Sequence, residues 1–169
     1  MASKPVVSVS VEEYQRTSFD GPDREYLDGE VVERNVGENQ HSKAQARLVE
    51  IFYELRKTSP LFSRPELRLR LGPRRFRVPD LAVFRDSEPV EPVPSYPPHV
   101  VIEIVSPDDR LTDIVRKLEE FRAWGVPHVW LVDPSLKKLY VFSGAGLLET
   151  PAFELVEAVV EIRASEIFS

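Results

Sequence analysis

Two hydrophobic periods run along this chain. At the helical period, Ala44, Leu48, Ile51, Phe52 and Leu55 form a stripe over about 40–57. Leu111, Ile114, Val115, Leu118 and Phe121 form another, which Gly125-Val126-Pro127 ends. Ser106-Pro107 reads as the start of that second helix, serine capping and proline in the first helical position. Ser10-Val11-Glu12-Glu13 has the form of a capping box, with Glu13 reaching back, and opens a short helix. At the strand period, Leu67, Leu69 and Leu71 alternate with Arg68 and Arg70, and Gly72-Pro73 turns the chain into a second strand over about 75–84. Tyr26 to Val32 reads as a hairpin, because Asp28-Gly29 favours the positive-φ turn that two-residue hairpins need. Further strands are expected at 99–105, 128–132, 139–142 and 155–162, and 86–98, with five prolines, is a loop. The strand–helix–strand passage over 99–132 implies a right-handed parallel crossover, whereas the first half reads as antiparallel. The expected fold class is α/β of the mixed α+β kind: a mixed sheet flanked by helices, in a single domain over 1–169.

One strand breaks its own pattern. In Val100-Val101-Ile102-Glu103-Ile104-Val105, side chains alternate, so Val101, Glu103 and Val105 share a face. A face with valine on either side of a glutamate is expected to be covered by protein. An ionised carboxylate there costs on the order of several kcal/mol unless a metal, a paired cation or a raised pKa compensates. Val78-Pro79-Asp80-Leu81-Ala82-Val83-Phe84 places a second acid in the same kind of setting. Two acids on apolar strands suit phosphodiester hydrolysis, in which two hard oxygen ligands hold a magnesium ion. They equally suit a pair of structural acids salt-bridged to nearby arginines.

Composition narrows the choice without deciding it. A hydrophobic fraction of 42% with 30% charged residues reads as an ordinary globular chain rather than a disordered one. No run of 18 apolar residues spans a membrane, Met1 to Pro5 lacks the apolar core of a secretory signal, and cytoplasmic localisation is expected. Without cysteine there is no disulfide framework, thiol nucleophile or thiolate metal site. The net charge of −6 argues against a protein that coats nucleic acid broadly. Residues 64–77, however, carry six arginines against the single acid Glu66, a local balance of +5 that leaves −11 for the rest. Arg68, Arg70, Arg74, Arg75 and Arg77 feed into the strand bearing Asp80. They either contact phosphates or form the solvated face of an amphipathic hairpin.

Three other residues complete the candidate set. Lys117 lies about a quarter turn from the centre of its helix's apolar stripe, where a long stem can carry its ammonium to a strand end. Asp113, one turn earlier, is placed to pair with it at i, i+4, a spacing that is also common surface decoration. His41 sits at the edge of its stripe, whereas Glu50 points away, so His41 can look into a site or serve as a structural histidine. His99 and His128 share no zinc-like spacing with it or with each other, which argues against zinc.

The ordered series Asp28-Gly29-Glu30, His41, Pro79-Asp80, Glu103-Ile104-Val105-Ser106-Pro107, Asp113, Lys117, Gly125-Val126 and Trp130-Leu131-Val132-Asp133-Pro134 resembles the Uma family of endonuclease-like proteins. That family belongs to the PD-(D/E)XK superfamily, the fold of restriction endonucleases. The resemblance covers roughly residues 11–144. It implies a restriction-endonuclease-like mixed sheet, with Asp80 and Glu103 as Mg2+ (or Mn2+) ligands and the backbone carbonyl of Ile104 as a third. The superfamily lysine would fall at position 105, which is Val105 here; Lys117 resembles its migrated substitute. Glu30, His41 and Asp113 match further family positions as supporting residues. Phe121 stands where tyrosine is common, and Asp108-Asp109 replaces Ser-Thr.

The expectation is thus a metal-dependent endonuclease acting on nucleic acid, DNA foremost, with Asp80, Glu103 and Lys117 catalytic. A homodimer is expected too, since two sites cut two strands and Leu155 to Ile162 offers an apolar strand for the interface. The rival is a catalytically silent module of the same fold that binds nucleic acid or protein, motivated by the acidic charge and the missing lysine at 105. A Lys117 ammonium far beyond about 6 Å from both carboxylates would favour that rival.

Overall fold

The strands of the first half share out between two sheets. In a computed structural model that describes residues 8–35 and 37–169, β1 (Glu25–Leu27) and β2 (Glu30–Val32) form the expected hairpin. Asp28 (φ 52°) and Gly29 (φ 102°) take the positive-φ turn. The short helix α1 (Val11–Arg16) is capped by Ser10, whose Oγ accepts the Glu13 N–H at 3.1 Å. Met1 to Pro5 lies outside the described residues. Helix α2 (Asn39–Leu55) buries Ala44, Leu48, Ile51 and Phe52 and leads through β3 (Leu61–Pro65) to β4 (Leu69–Gly72).

The stretch expected as one strand over 75–84 is two: β5 (Arg75–Arg77) and β6 (Leu81–Arg85). β5 pairs with β1 and β4, and β6 with β3 and with β7 (Val100–Ile104). Val78-Pro79-Asp80 crosses between the two sheets. Proline has no N–H to give to a ladder, and side chains satisfy the backbone around it. Val78 N–H donates to Glu25, Val78 C=O accepts from Lys117 Nζ, and Asp80 C=O accepts from Gln45.

β7 runs parallel to β8 (His128–Asp133), linked through α3 (Leu111–Trp124). α3 starts five residues after the expected cap. Ser106 N–H donates instead to Asp109 Oδ2 and Asp109 N–H to Ser106 C=O, so Asp109 closes a turn. Leu111 is 64% exposed and does not belong to the stripe, which is Ile114, Leu118 and Phe121. Gly125 ends the helix at φ 109°, the left-handed cap that glycine favours.

After β8 come β9 (Lys138–Ser143) and β10 (Gly146–Thr150). The expected late strand 155–162 is a hairpin, β11 (Ala152–Leu155) and β12 (Val160–Arg163), with a 3₁₀ turn between, followed by α4 (Ala164–Ile167). Leu155, Val160 and Ile162 are buried within this chain, so their side chains pack into its own core. β3 and β10, unmarked in the sequence reading, are the two edges of the six-stranded sheet β10-β9-β8-β7-β6-β3. The other sheet is β2-β1-β5-β4.

The larger sheet is covered on both faces. α2 and the β11–β12 hairpin pack over Val100, Ile102, Ile104 and Trp130, whose ring stacks on Phe153 at 4.2 Å. α3 covers the opposite face through Leu118 and Phe121 against Val101 and Leu131. Each fully buried leucine or phenylalanine contributes about 1.5–3 kcal/mol relative to exposure. Glu103 lies on that second face. Among the described residues, no helix is long and apolar enough to cross a membrane.

Candidate active site

Glu103 is 8% exposed and Asp80 4%, and both line one polar cleft of about 700 Å³ between the two sheets, α3 and the 106–109 turn. Asp80 reaches the cleft because Pro79 ends one sheet and Leu81 begins the other. Its Oδ2 accepts the Ile104 N–H at 2.7 Å and lies 3.3 Å from His41 Nε2, while Oδ1 accepts from Arg34 Nη2 at 3.0 Å. His41 arrives as the first residue of the buried stripe of α2. Gly37 lets the chain pass close to its ring; a Cβ there would stand 2.7 Å from Nδ1.

Lys117 crosses from α3 into the same cleft. Its ammonium donates to Val78 C=O at 3.0 Å and lies 2.7 Å from Glu25 Oε1 and 2.9 Å from Glu103 Oε1. The Glu103 contact lacks hydrogen-bond alignment, so Glu103 Oε1 has the ammonium beside it but no hydrogen bond; Arg34 Nη1, 3.9 Å from Glu66 Oε1, has none either. Glu25 is held harder: Oε1 also accepts the Val78 N–H, and Oε2 accepts from Arg77 at 2.8 Å.

The charges divide unevenly between the two acids. Burial pushes Glu103 up to about 8, and the charges of Asp80 and Glu25 add to it against the pull of Lys117. Burial also raises Asp80, but His41, Lys117 and Arg34 outweigh it and hold the carboxyl below its usual range. Burial disfavours the Lys117 ammonium, yet Glu103 and Glu25 more than offset this and raise its pKa. Lys117 is therefore a fixed cation and not a base at neutral pH. His41 is raised as well, by Asp80 and Glu103 against its own burial.

These donors fit a hard divalent cation. Burial, with the charges of Asp80 and Glu25, keeps the Glu103 pKa raised although the Lys117 ammonium lies beside it, and a cation bound there would oppose that rise. Of the three buried carboxylates lining the cleft, Glu25 is taken up by Lys117, Arg77 and the Val78 N–H, which leaves Asp80 and Glu103 as hard oxygen donors of the kind magnesium takes while keeping several waters. Asp80 and Glu103 would hold the ion.

Other sequence candidates fall elsewhere. Glu30 is exposed on β2 and does not line the cleft; Glu25, on the facing strand, does. Asp113 stands at the rim, 64% exposed at its side chain, and pairs with Arg116 at 3.7 Å rather than with Lys117. Arg68 is tied to Asp23 and packs over Tyr14, and Arg70 donates to Gly72 and Pro73 carbonyls over Phe76. Neither lines the cleft, nor does exposed Arg74. Arg75 and Arg77 do, but both are bound to Glu120, Arg75 also to Asp28 and Arg77 to Glu25. The cations at the open rim are Arg110 and Arg116.

Sequence reasoning missed Glu25 and Arg34. Glu25 opens a three-residue strand beside Tyr26, and Arg34 sits in irregular chain; neither carries a periodic signal. His99 and His128, unrelated by spacing, come together because β7 and β8 are adjacent.

The sequence model of a family described as "Uma2: Putative restriction endonuclease" matches residues 11–166. A solved structure described as a "putative nuclease belonging to DUF820" from Anabaena variabilis is 20% identical. It aligns with a TM-score of 0.79 over 95% of this chain and 97% of that one, which shows a shared fold. No curated protein matches the chain.

Proposed function

The chain belongs to the Uma2 family, and from that premise we propose that it is a metal-dependent endonuclease hydrolysing phosphodiester bonds of nucleic acid, DNA foremost. One observation carries this reading: a largely buried ammonium, Lys117, lies 2.9 Å from the buried carboxyl of Glu103 in the cleft also lined by Asp80. Asp80 and Glu103, with the Ile104 carbonyl, are the proposed ligands for Mg2+ or Mn2+. When bound, such an ion supplies an acidified water and offsets charge on the phosphate. The chain's own residues do the rest. Glu25 and the Val78 carbonyl hold the Lys117 ammonium toward Glu103, where it stabilises developing negative charge. His41 and the Ile104 N–H hold Asp80 in its rotamer. Arg110 and Arg116 at the rim are placed to meet flanking phosphates. Cytoplasmic action and a two-fold dimer that cuts both strands complete the proposal.

Purified protein incubated with single- and double-stranded DNA and with RNA tests it. Cleavage is expected with Mg2+ or Mn2+ and lost in chelator and in Asp80→Ala. Cleavage that survives either condition overturns the assignment.

A second reading has its own support. Asp80 is already met by Arg34, His41 and the Ile104 N–H, the arrangement of a catalytically silent module of this fold that binds nucleic acid or protein. Calorimetric titration with Mg2+ and Mn2+ separates the two: absence of heat with intact nucleic-acid binding favours the silent module.

A further inference from the structure

At the other end of β7 from Glu103, three side chains outside the cleft point at one another. His99 Nε2 lies 2.5 Å and His128 Nε2 2.9 Å from the same oxygen, Glu157 Oε1. Among the described residues this is the group of three histidine or acid ligand atoms lying within 4.8 Å of one another.

The two histidines have a rigid origin. His128 opens β8 opposite Val100, and its N–H donates to the His99 carbonyl at 3.2 Å. Adjacent parallel strands therefore hold the rings side by side, with centroids 4.9 Å apart. Glu157 comes from the 3₁₀ turn between β11 and β12, in a different layer. The next turn residue but one, Val159, sits at φ 53°, in the left-handed region. The side chains of His99, His128 and Glu157 are 13%, 27% and 29% exposed, so an ion and its waters can reach them.

We propose that His99, His128 and Glu157 form a second metal site, of the two-imidazole, one-carboxylate kind that takes Zn2+, and that it clips the β11–β12 hairpin to the N-terminal ends of β7 and β8. Imidazole with a single carboxylate suits zinc and not magnesium. With bonds of about 2.0–2.1 Å, tetrahedral ligand atoms stand ~3.3 Å apart. The two N–O distances, 2.5 and 2.9 Å, reach that span when the shared oxygen retreats by under about 1 Å, and the three ligand atoms already lie within 4.8 Å of one another. Water fills the fourth position. This site shares no residue with the Asp80–Glu103 cleft and does not depend on what that cleft does.

The test uses the full chain, stripped by chelator and titrated with Zn2+ by calorimetry and with Co2+ by visible absorption. The first, tightest equivalent is expected to give tetrahedral cobalt bands in the wild type and equally in Asp80→Ala, whatever further ion the Asp80–Glu103 cleft takes. His128→Gln and Glu157→Gln should weaken binding at least about tenfold, and zinc should raise the melting temperature of the wild type but not of His128→Gln. Zinc K-edge absorption of the unmutated protein should show two imidazoles, which in a chain of three histidines means His99 and His128, since His41 is held at Asp80. Absence of tetrahedral cobalt bands, a zinc shell without two imidazoles, or unchanged affinity in His128→Gln overturns the site and leaves only a hydrogen-bonded cluster.

Discussion

Glu103 titrates in the wrong direction for an exposed acid, and that sets a pH dependence. In the folded chain it keeps its proton up to about 8; its ordinary value is 4.5. Between those values the folded state binds more protons than the unfolded one, so stability falls as pH rises through the window. Glu103→Gln mimics the protonated form. In chelator its melting temperature should match the wild type near about pH 5 and exceed it increasingly toward about pH 8. A constant difference across a thermal melt series would contradict the raised pKa. Ion affinity should rise over the same window as the competing proton leaves. Lys117 is paired with the buried, ionised Glu25 at 2.7 Å, so Lys117→Met should destabilise by about 3–5 kcal/mol in urea unfolding, because it leaves that buried charge with one partner fewer. Glu25→Gln in the same chain should recover part of that loss, and an additive double mutant would show the pair uncoupled.

At the scale of elements, the cleft exists because a strand changes sheets. Val78-Pro79-Asp80 gives up its ladder bonds and takes side-chain partners from β1, α2 and α3. α3 must stop where it does to return the chain to β8, and Gly125 makes the stop at φ 109°. A Cβ there meets only Pro97 Cγ at 3.7 Å, an ordinary contact, so the cost of Gly125→Ala is conformational. A loss of about 1–2 kcal/mol is expected in urea unfolding, with cleavage rates unchanged at temperatures where the protein stays folded. Trp130→Ala removes the stack that seats the β11–β12 hairpin and should cost about 3–5 kcal/mol.

For the molecule as a whole, the acidic balance and the rim arginines make opposite demands on a polyanion. Binding to DNA should weaken with salt, and Arg110→Ala with Arg116→Ala should flatten that slope, measured by fluorescence anisotropy at several ionic strengths. If the slope is unchanged, the rim does not meet phosphate. Because the side chains of Leu155, Val160 and Ile162 fill the chain's own core, the proposed dimer can use that hairpin through its backbone edge and not through those side chains. Light scattering at micromolar concentration is expected to give twice the chain mass.

The periodic parts of the fold were readable from residues alone. The α2 and α3 stripes, the Asp28-Gly29 hairpin and the parallel β7–β8 pair depend on local spacing, and local spacing is written in the chain. An acid between valines also announced a buried carboxylate at Glu103. Glu25 and Arg34 were not legible, since each lies in a short or irregular segment and gains its meaning from partners far along the chain, Lys117 for Glu25 and Asp80 for Arg34. The break at Val78-Pro79-Asp80 was hidden as well, because an apolar run looks the same whether it stays in one sheet or crosses to another. Which arginines face the cleft, and whether two unrelated histidines meet, depends on strand order. Strand order follows from how faces are covered in three dimensions, and no repeat along the chain encodes it.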